Sequence, residues 1–526
     1  MQTQDYQELT EGLAKITFLG SSKAFYNPVQ EFNRDLTVTV LRQFVSDRLE
    51  EAKNLKELSN GNGEEEPASK RKRVELKVFK KDEPIRILDA LSASGLRALR
   101  FAKEVPNVGY ICANDFSDNA VASINRNVKV NGVENIVTSN FGDAVEVMMA
   151  HRGIDKRFHA VDLDPYGSPS LFLDSAVQAV SDEGLLMITC TDMASLCGNT
   201  PEACYNKYNA IPLKHKCCHE GALRILLRCI DSHANRYGRY IEPLLSVSID
   251  FYIRVFVKIH TGQIHAKDSV TKLGHVLHCT GCQSLSTQPI VKKTVDGNSR
   301  KFTPSVFKPD IFEGNNGKCR HCGSSVHITG PMYLAPMHNE EFVKKLIQRL
   351  NSTPNEQKLG THRRLLGTLS VISEELHDVP FYYELPEFFH VLKSPVLRVV
   401  DFRSAVLNAG YRCSISHANA KSIKTDAPLD FIWDIVRTHA KQCNITSLPE
   451  NLPGHVILSK ENSHTINFTY NSKAISKSQQ EGMLRFQDNK GKNWGPKEKA
   501  KGSVNSIYAG FQAEEYMKKE REGLKE

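Results

Sequence analysis

Phe158-His-Ala-Val-Asp162-Leu-Asp164-Pro165-Tyr166-Gly167 is the stretch on which the reading of this chain turns. Apolar residues carry a strand up to an acid, and a proline, an aromatic and a glycine then end it. A carboxylate, a fixed turn and a flat π-face are so presented together at the carboxyl edge of a sheet, where ligands bind in open α/β folds. That combination suits chemistry on the exocyclic amine of a nucleobase, a poor nucleophile because its lone pair is delocalised into the ring. The Asp164 carboxylate and the Pro165 carbonyl can accept its N–H hydrogens, and Tyr166 can stack on the base. An Asp-Pro turn capping a strand, with Tyr166 packed in the core, accounts for the same four residues equally well.

Working outward, the chain alternates strand and helix. Ile85–Asp89 and Gly109–Asp115 are short apolar runs that each end in an acid, and Ile136-Val-Thr leads to Gly142-Asp143-Ala144. Helical patterns follow Ser92, run from Ser117 to Asn131, and lie near Leu171–Val180; Gly184–Cys190 is a further strand. This βαβαβ rhythm predicts a doubly wound parallel sheet, a Rossmann-like α/β domain. Asp89-Ala-Leu-Ser-Ala-Ser-Gly95 opens a helix with small residues, so a ligand can approach the backbone, but it is not the dinucleotide Gly-x-Gly-x-x-Gly pattern. Asp115 sits where an acid can take both ribose hydroxyls, and Asp143-Ala144 where an adenine amino group can be read. The three acid-tipped strands in order fit an adenosyl ligand without a pyrophosphate, S-adenosylmethionine. Each Asp alone is equally a turn or a helix cap.

Cys279-Thr-Gly-Cys282 and Cys319-Arg-His-Cys322 are paired Cys-x-x-Cys knuckles that deliver four thiolates to a tetrahedral, structural Zn²⁺. His278 and His321 flank them as bystanders, and 292–309 reads as a loop inserted between the knuckles. The other cysteines of the thirteen are scattered like reduced intracellular thiols. Formal charge is +8, compatible with a nucleic-acid partner. No stretch has the length of a membrane helix, and Met1-Gln-Thr-Gln-Asp-Tyr6 resembles neither a signal nor a transit peptide. Lys70-Arg71-Lys72-Arg73 is a nuclear address or a solvated charge run.

The organisation expected is a methyltransferase domain over 1–245, with a helix from about Arg34 to Glu50 and a polar insertion at 54–73. A C-terminal α+β domain over 246–440 carries the zinc site and a winged-helix-like module that grips RNA phosphates. A mostly flexible basic tail spans 441–526, in which Arg485-Phe486 and Trp494 among lysines offer stacking for RNA or are incidental.

Taken in order, Glu11-Gly12, Phe25-Tyr-Asn-Pro28, Asn33-Arg34-Asp35, Asp89 to Arg97, Asn114-Asp115, Asp162 to Pro169, Thr191-Asp192, Leu196-Cys-Gly198 and Lys424-Thr-Asp-Ala-Pro428 resemble the tRNA (guanine-26-N2)-dimethyltransferases of archaea and eukaryotes, the Trm1 family. The resemblance covers about residues 10–435. It implies that Arg34, Arg97, Asp115, Asp143 and Ala144 hold S-adenosylmethionine; pairing with the methionine carboxylate is a physical role for Arg34, although the sequence does not say which of the two arginines makes it. It implies that Asp164 accepts the amine proton and that Phe25 and Tyr166 sandwich a guanine flipped out of a folded tRNA. Tyr166 stands where the family often has Phe, which keeps the π-face. An amino-methyltransferase acting on another tRNA base fits the same residues. A catalytically silent tRNA-binding protein would need neither Asp164 nor the acid-tipped strands. The basic run points to the nucleus; cytoplasm and mitochondrion remain open.

Overall fold

The computed structural model describes residues 6–19, 26–61, 81–312 and 317–487. Phe25, the 70–73 basic run and Trp494 lie outside these described residues. A hairpin of β1 (Tyr6–Glu11) and β2 (Ala14–Leu19) precedes the long helix α1 (Glu31–Gly61). The expected alternation follows as β3 (Ile85–Asp89), α2 (Leu96–Glu104), β4 (Val108–Asp115), α3 (Asp118–Asn131), β5 (Val137–Phe141), α4 (Ala144–Ala150), β6 (Phe158–Leu163), α5 (Leu173–Ala179) and β7 (Val180–Cys190). Short helices α6 (Met193–Leu196) and α7 (Pro201–Tyr208) lead to α8 (Cys218–Asn235), and β8 (Arg239–Ile249) and β9 (Tyr252–Thr261) complete the sheet.

Its seven strands lie in the order β5-β4-β3-β6-β7-β9-β8. The chain reverses direction of travel across the sheet between β3 and β6, the switch point at which open α/β sheets bind ligands. The sequence predicts a parallel sheet, and one strand departs from it: β9 runs antiparallel to both β7 and β8. Asp250 and Phe251, with Asp250 at φ 53°, form the tight turn that forces this reversal. The boundary read at residue 245 falls inside β8, and the sheet continues to Thr261.

The second half comprises α9 (Gln263–Asp268), then β10 (Leu273–Cys279), β11 (Leu285–Pro289) and β14 (Val326–Tyr333) as one small sheet, with the hairpin of β12 (Val291–Asp296) and β13 (Ser299–Pro304) between. The inserted loop between the knuckles is therefore an ordered two-stranded ribbon. Helices α10 (Glu340–Ser352) and α11 (His362–Glu374) follow. The winged-helix-like module is β15 (Tyr383–Glu384), α12 (Leu385–Val391), α13 (Val399–Asn408), the wing of β16 (Cys413–Ser416) and β17 (Asn419–Thr425), and α14 (Leu429–Gln442).

Three apolar cores result. One face of the large sheet packs on α5 and α8, the other on α1, α2 and α3, and a third core joins the knuckles to the winged-helix-like module. Phe342, Val343, Leu346, Leu365 and Leu369 of α10 and α11 belong to the second core with Phe32, Leu36 and Phe44 of α1. Residues placed by sequence in the C-terminal domain thus share the core of the large sheet. Helix α1 reaches Gly61, so 54–61 extends the helix where the sequence suggested a break. The start of the expected flexible tail is also packed. Ile457 and Leu458 of α15 (Pro453–Ser459) are buried in the third core, and Ala474 is buried before the short α16 (Lys477–Gln480). A few apolar side chains spaced irregularly are enough to dock this segment.

Candidate active site

The carboxyl ends of β5, β4, β3, β6 and β7 form one edge: Asp89 and Asp115 end β3 and β4 there, and Asp164 and Asp143 lie just beyond β6 and β5. Ala93 at φ 50° and Gly95 at φ 81° tighten the loop between β3 and α2. Such left-handed backbone is costly for an ordinary side chain and suits glycine. The Ala93 N–H donates to Asp115 Oδ2 at 2.9 Å and the Ser117 N–H to Oδ1 at 3.0 Å. Burial pushes the Asp115 carboxyl up, although these backbone donors pull the other way. Asn114 links three strand ends, donating to Ala90 and Gly142 carbonyls at 3.0 Å and accepting from Asn140 at 2.7 Å. Asp143 caps α4, accepting from the Val145 N–H at 2.7 Å, and Ala144 is buried behind it.

Asp164 follows β6. It accepts from Arg97 Nε at 3.0 Å and from Arg97 Nη2. Burial alone would raise its carboxyl, but the Arg97 and Arg254 charges outweigh burial and hold it below the ordinary value. The Asp164–Gly167 turn is pinned to the end of β7: Thr191 Oγ1 accepts from the Gly167 N–H at 2.9 Å, and the Gly167 carbonyl accepts from the Thr191 N–H at 3.0 Å. Tyr166 is 54% exposed, so its ring is not the core residue that the alternative reading required. An ionised acceptor and an open aromatic face thus stand side by side.

The two arginines expected to hold the cofactor differ. Arg34 gives Nε and Nη2 to Glu11 at 2.6 and 2.5 Å and lies over the Tyr26 ring. Its Nη1 is the one guanidinium nitrogen with no partner among the described residues. Arg97 is fully committed to protein: besides Asp164 it donates to Asn33 Oδ1 at 2.9 Å and Thr37 Oγ1 at 3.4 Å, and Nη1 lies 3.6 Å from Asp162. Asn33 and Asp162, quoted in the sequence only as landmarks of the resemblance, and Thr189 and Arg254, which the sequence reading passed over, are neighbours of Arg97 and Asp164. Two signals were available. Asp162 and Asp164, two apart, share a face of β6, and Arg254 interrupts an apolar strand, where a charge needs a buried partner.

The four cysteines converge as expected. Their ligand atoms lie within 4.8 Å of one another, with Sγ–Sγ separations of 3.4 Å for Cys279 and Cys322 and 3.6 Å for Cys282 and Cys319. Thiolates around tetrahedral zinc are about 3.8 Å apart, so this closed group fits a structural ion. His321 faces Asp430 instead, and His278 lies edge-on to His327. A second convergence, His338, Glu375 and His417, is of another kind. The N–H groups of Ser246 and Ser248 donate to His338 Nδ1 at 3.3 Å and His417 Nε2 at 3.1 Å. The inward nitrogens therefore carry the ring protons, and His417 Nδ1 donates to Glu375 at 2.6 Å. Lys424 lies 3.5 Å from the other Glu375 oxygen. This network joins β8, α11 and β17 and leaves His338 Nε2 without a hydrogen-bond partner among the described residues, and a cation there would meet ring protons and an ammonium.

Comparison with known proteins adds a frame to this geometry. The family described as N2,N2-dimethylguanosine tRNA methyltransferase matches residues 6–437. A tRNA (guanine(26)-N(2))-dimethyltransferase of Caenorhabditis elegans is 55% identical over 98% of this chain and 97% of its own length. The Homo sapiens protein of that name is 41% identical, over 94% and 77%. The structure of Trm1 from Pyrococcus horikoshii with S-adenosyl-L-methionine superposes with a TM-score of 0.62 at 29% identity, covering 81% of this chain and 98% of the archaeal one. No helix of the described residues is long and apolar enough to cross a membrane.

Proposed function

The chain belongs to the N2,N2-dimethylguanosine tRNA methyltransferase family, and from that premise we propose how its residues divide the work. The protein is a tRNA (guanine-26-N2)-dimethyltransferase that uses S-adenosyl-L-methionine as methyl donor. The cofactor supplies an electrophilic methyl group on a sulfonium. Asp115 takes the ribose hydroxyls, with its carboxylate held in place by two backbone N–H donors. Asp143 and Ala144 flank the adenine. Arg34 offers its spare Nη1 to the methionine carboxylate, a charge-assisted contact.

Guanine 26 enters beside Tyr166, whose exposed ring stacks on it and offsets the cost of extrusion; Phe25, outside the described residues, is the second stacking residue that the resemblance implies. Asp164 accepts the N2 hydrogens with the Pro165 carbonyl. It orients the amine lone pair toward the methyl group and takes the proton released on transfer. Arg97 keeps Asp164 ionised and fixed, so the acceptor is in place before substrate arrives. The second transfer uses the same carboxylate after the mono-methylated nitrogen turns its remaining hydrogen toward it. Cys279, Cys282, Cys319 and Cys322 would hold a structural zinc, which would brace the module against which RNA phosphates dock. The Lys70–Arg73 run directs the protein to the nucleus, and its replacement by alanines should disperse a fluorescent fusion.

The observation that carries the assignment of roles is the ionised Asp164, bound to Arg97 beside the open face of Tyr166. Nucleoside mass spectrometry of unmodified tRNA incubated with protein and S-adenosyl-L-methionine tests it. N2,N2-dimethylguanosine at position 26 is expected with the wild type and none with Asp164→Ala. Turnover retained by the variant would remove Asp164 from its role.

A further inference from the structure

Behind the reacting edge lies an alternating row of buried charges. Asp164 accepts from Arg97; Arg97 Nη1 lies 3.6 Å from Asp162; Asp162 accepts from Arg254 Nη2 through both oxygens at 3.0 and 3.1 Å; and Arg254 Nη1 donates to Thr189 Oγ1 at 2.5 Å. Arg254 is 0% exposed and Asp162 is 1% exposed. Arg254 reaches this place only because β9 runs backwards. It is the third residue of β9 and pairs in register with Thr189 of β7. The start of an antiparallel strand thus lies where its parallel neighbours end.

Arg97 stands between two carboxylates on one face of β6. A guanidinium so placed turns to whichever acceptor is less well satisfied, because an uncompensated buried carboxylate is costly. Arg254 satisfies Asp162 with a two-oxygen contact, and Arg97 is left to spend Nε and Nη2 on Asp164. We propose that Arg254 is a positioning residue for methyl transfer: by saturating Asp162 it commits Arg97 to Asp164 and so keeps the acceptor carboxylate ionised and correctly aimed. Arg254 makes no hydrogen bond to Asp164, so its effect on the aim of that carboxylate passes through Asp162 and Arg97, while its charge also helps to hold Asp164 below the ordinary value.

The remaining groups facing this row are Asp89 from β3, Asn33 and Thr37 from α1, Thr189 from β7, and Tyr252 from β9. Asp89 shows what an acid at this edge does without an arginine contact of its own. Burial and the neighbouring Asp162 charge push it up to about 7. Asp164 released from Arg97 should move the same way, because burial raises an acid when no cation opposes it.

The inference rests on Asp164 as proton acceptor, and single-turnover methyl transfer measured from pH 5 to 8 tests both. Wild type should be nearly flat. Arg254→Met should show an acid limb between pH 5 and 7, with the rate falling about tenfold per pH unit below it, while its cofactor Kd by calorimetry stays within a factor of about three. The double variant Asp162→Asn/Arg254→Met removes both charges and should return the limb below pH 5. Arg254→Lys keeps the charge and should stay close to wild type. A flat profile for Arg254→Met overturns the proposal. So do equal losses in the single and double variants, or a limb displaced equally in the Lys and Met variants, either of which means a merely structural role. Asp164→Asn in the same assay separates the premises: full activity there fails the acceptor reading itself, whereas an inactive Asp164→Asn with an unaltered Arg254→Met fails only the role of Arg254.

Discussion

Asp89→Asn should stabilise this protein at neutral pH while leaving it unchanged in acid. Asp89 is 1% exposed, its ordinary value is 3.8, and burial together with the Asp162 charge raises it to about 7. The folded chain therefore holds a proton on Asp89 across a range in which the unfolded chain has released it. Stability falls with rising pH wherever the folded state binds more protons. The penalty is absent below pH 3.8, grows through the interval, and is complete above pH 7, where it amounts to about 4 kcal/mol at 1.36 kcal/mol per unit of pKa. Asparagine has no such penalty and can still accept from Ser92 Oγ, which lies 2.7 Å from Asp89 Oδ2. With an unfolding entropy of about 2.1 cal/mol/K per residue over the whole chain, the gain corresponds to about 4 °C in Tm. Thermal melts of both proteins from pH 4 to 8.5 should diverge steadily and then run parallel above pH 7. An offset independent of pH, or a variant less stable throughout, would refute the reasoning. We also expect weaker cofactor binding by Asp89→Asn in calorimetry, which would explain why a destabilising acid is present at this edge.

Tyr166→Ala should lower kcat/KM by about 5- to 150-fold, the equivalent of 1–3 kcal/mol of stacking, and Tyr166→Phe should be near wild type; equal effects of the two would assign the role to the hydroxyl instead. Purified protein should carry about one zinc per chain by elemental analysis, and Cys322→Ser should lose it and lower Tm, since structural zinc contributes folding energy outright. Gly367→Ala should destabilise by about 1–3 kcal/mol in denaturant melts, because a Cβ there would overlap the Leu484 carbonyl oxygen. That result would also establish that residues near 484 stay docked in solution.

The reacting edge was legible because its chemistry is written locally. Asp89 and Asp115 end strands in the sequence and again in the structure, Asp164 directly follows one, and two Cys-x-x-Cys pairs needed only to meet. What escaped depends on partners distant in sequence. Nothing near Arg254 names Asp162, 92 residues away. The reversal of β9 is set by the two-residue turn Asp250-Phe251, a single acid between apolar residues that does not stand out in the sequence as a turn. Residues 54–58, Asn-Leu-Lys-Glu-Leu, read as low complexity, yet Leu, Lys and Glu are strong helix formers that prolong α1 without any apolar face. In 443–487 the buried side chains are too few and too irregular to show a period, and packing against an existing core fixes them all the same.

The hold of α10 and α11 on the catalytic sheet has a consequence for how the molecule comes apart. The side of α1 that lies against the sheet is shared with helices encoded some 300 residues later, and Asp35 accepts from the Thr361 N–H at 2.8 Å across the seam. The ribosome must therefore release the first half before its core can close, and a fragment ending near residue 261 would expose an unmatched oily flank. Denaturation should be all-or-none, with cofactor affinity and RNA affinity vanishing at one temperature. Damage to α10 or α11 would then reach the large sheet through the shared core, so lesions far from Asp164 should abolish modification by depleting folded enzyme.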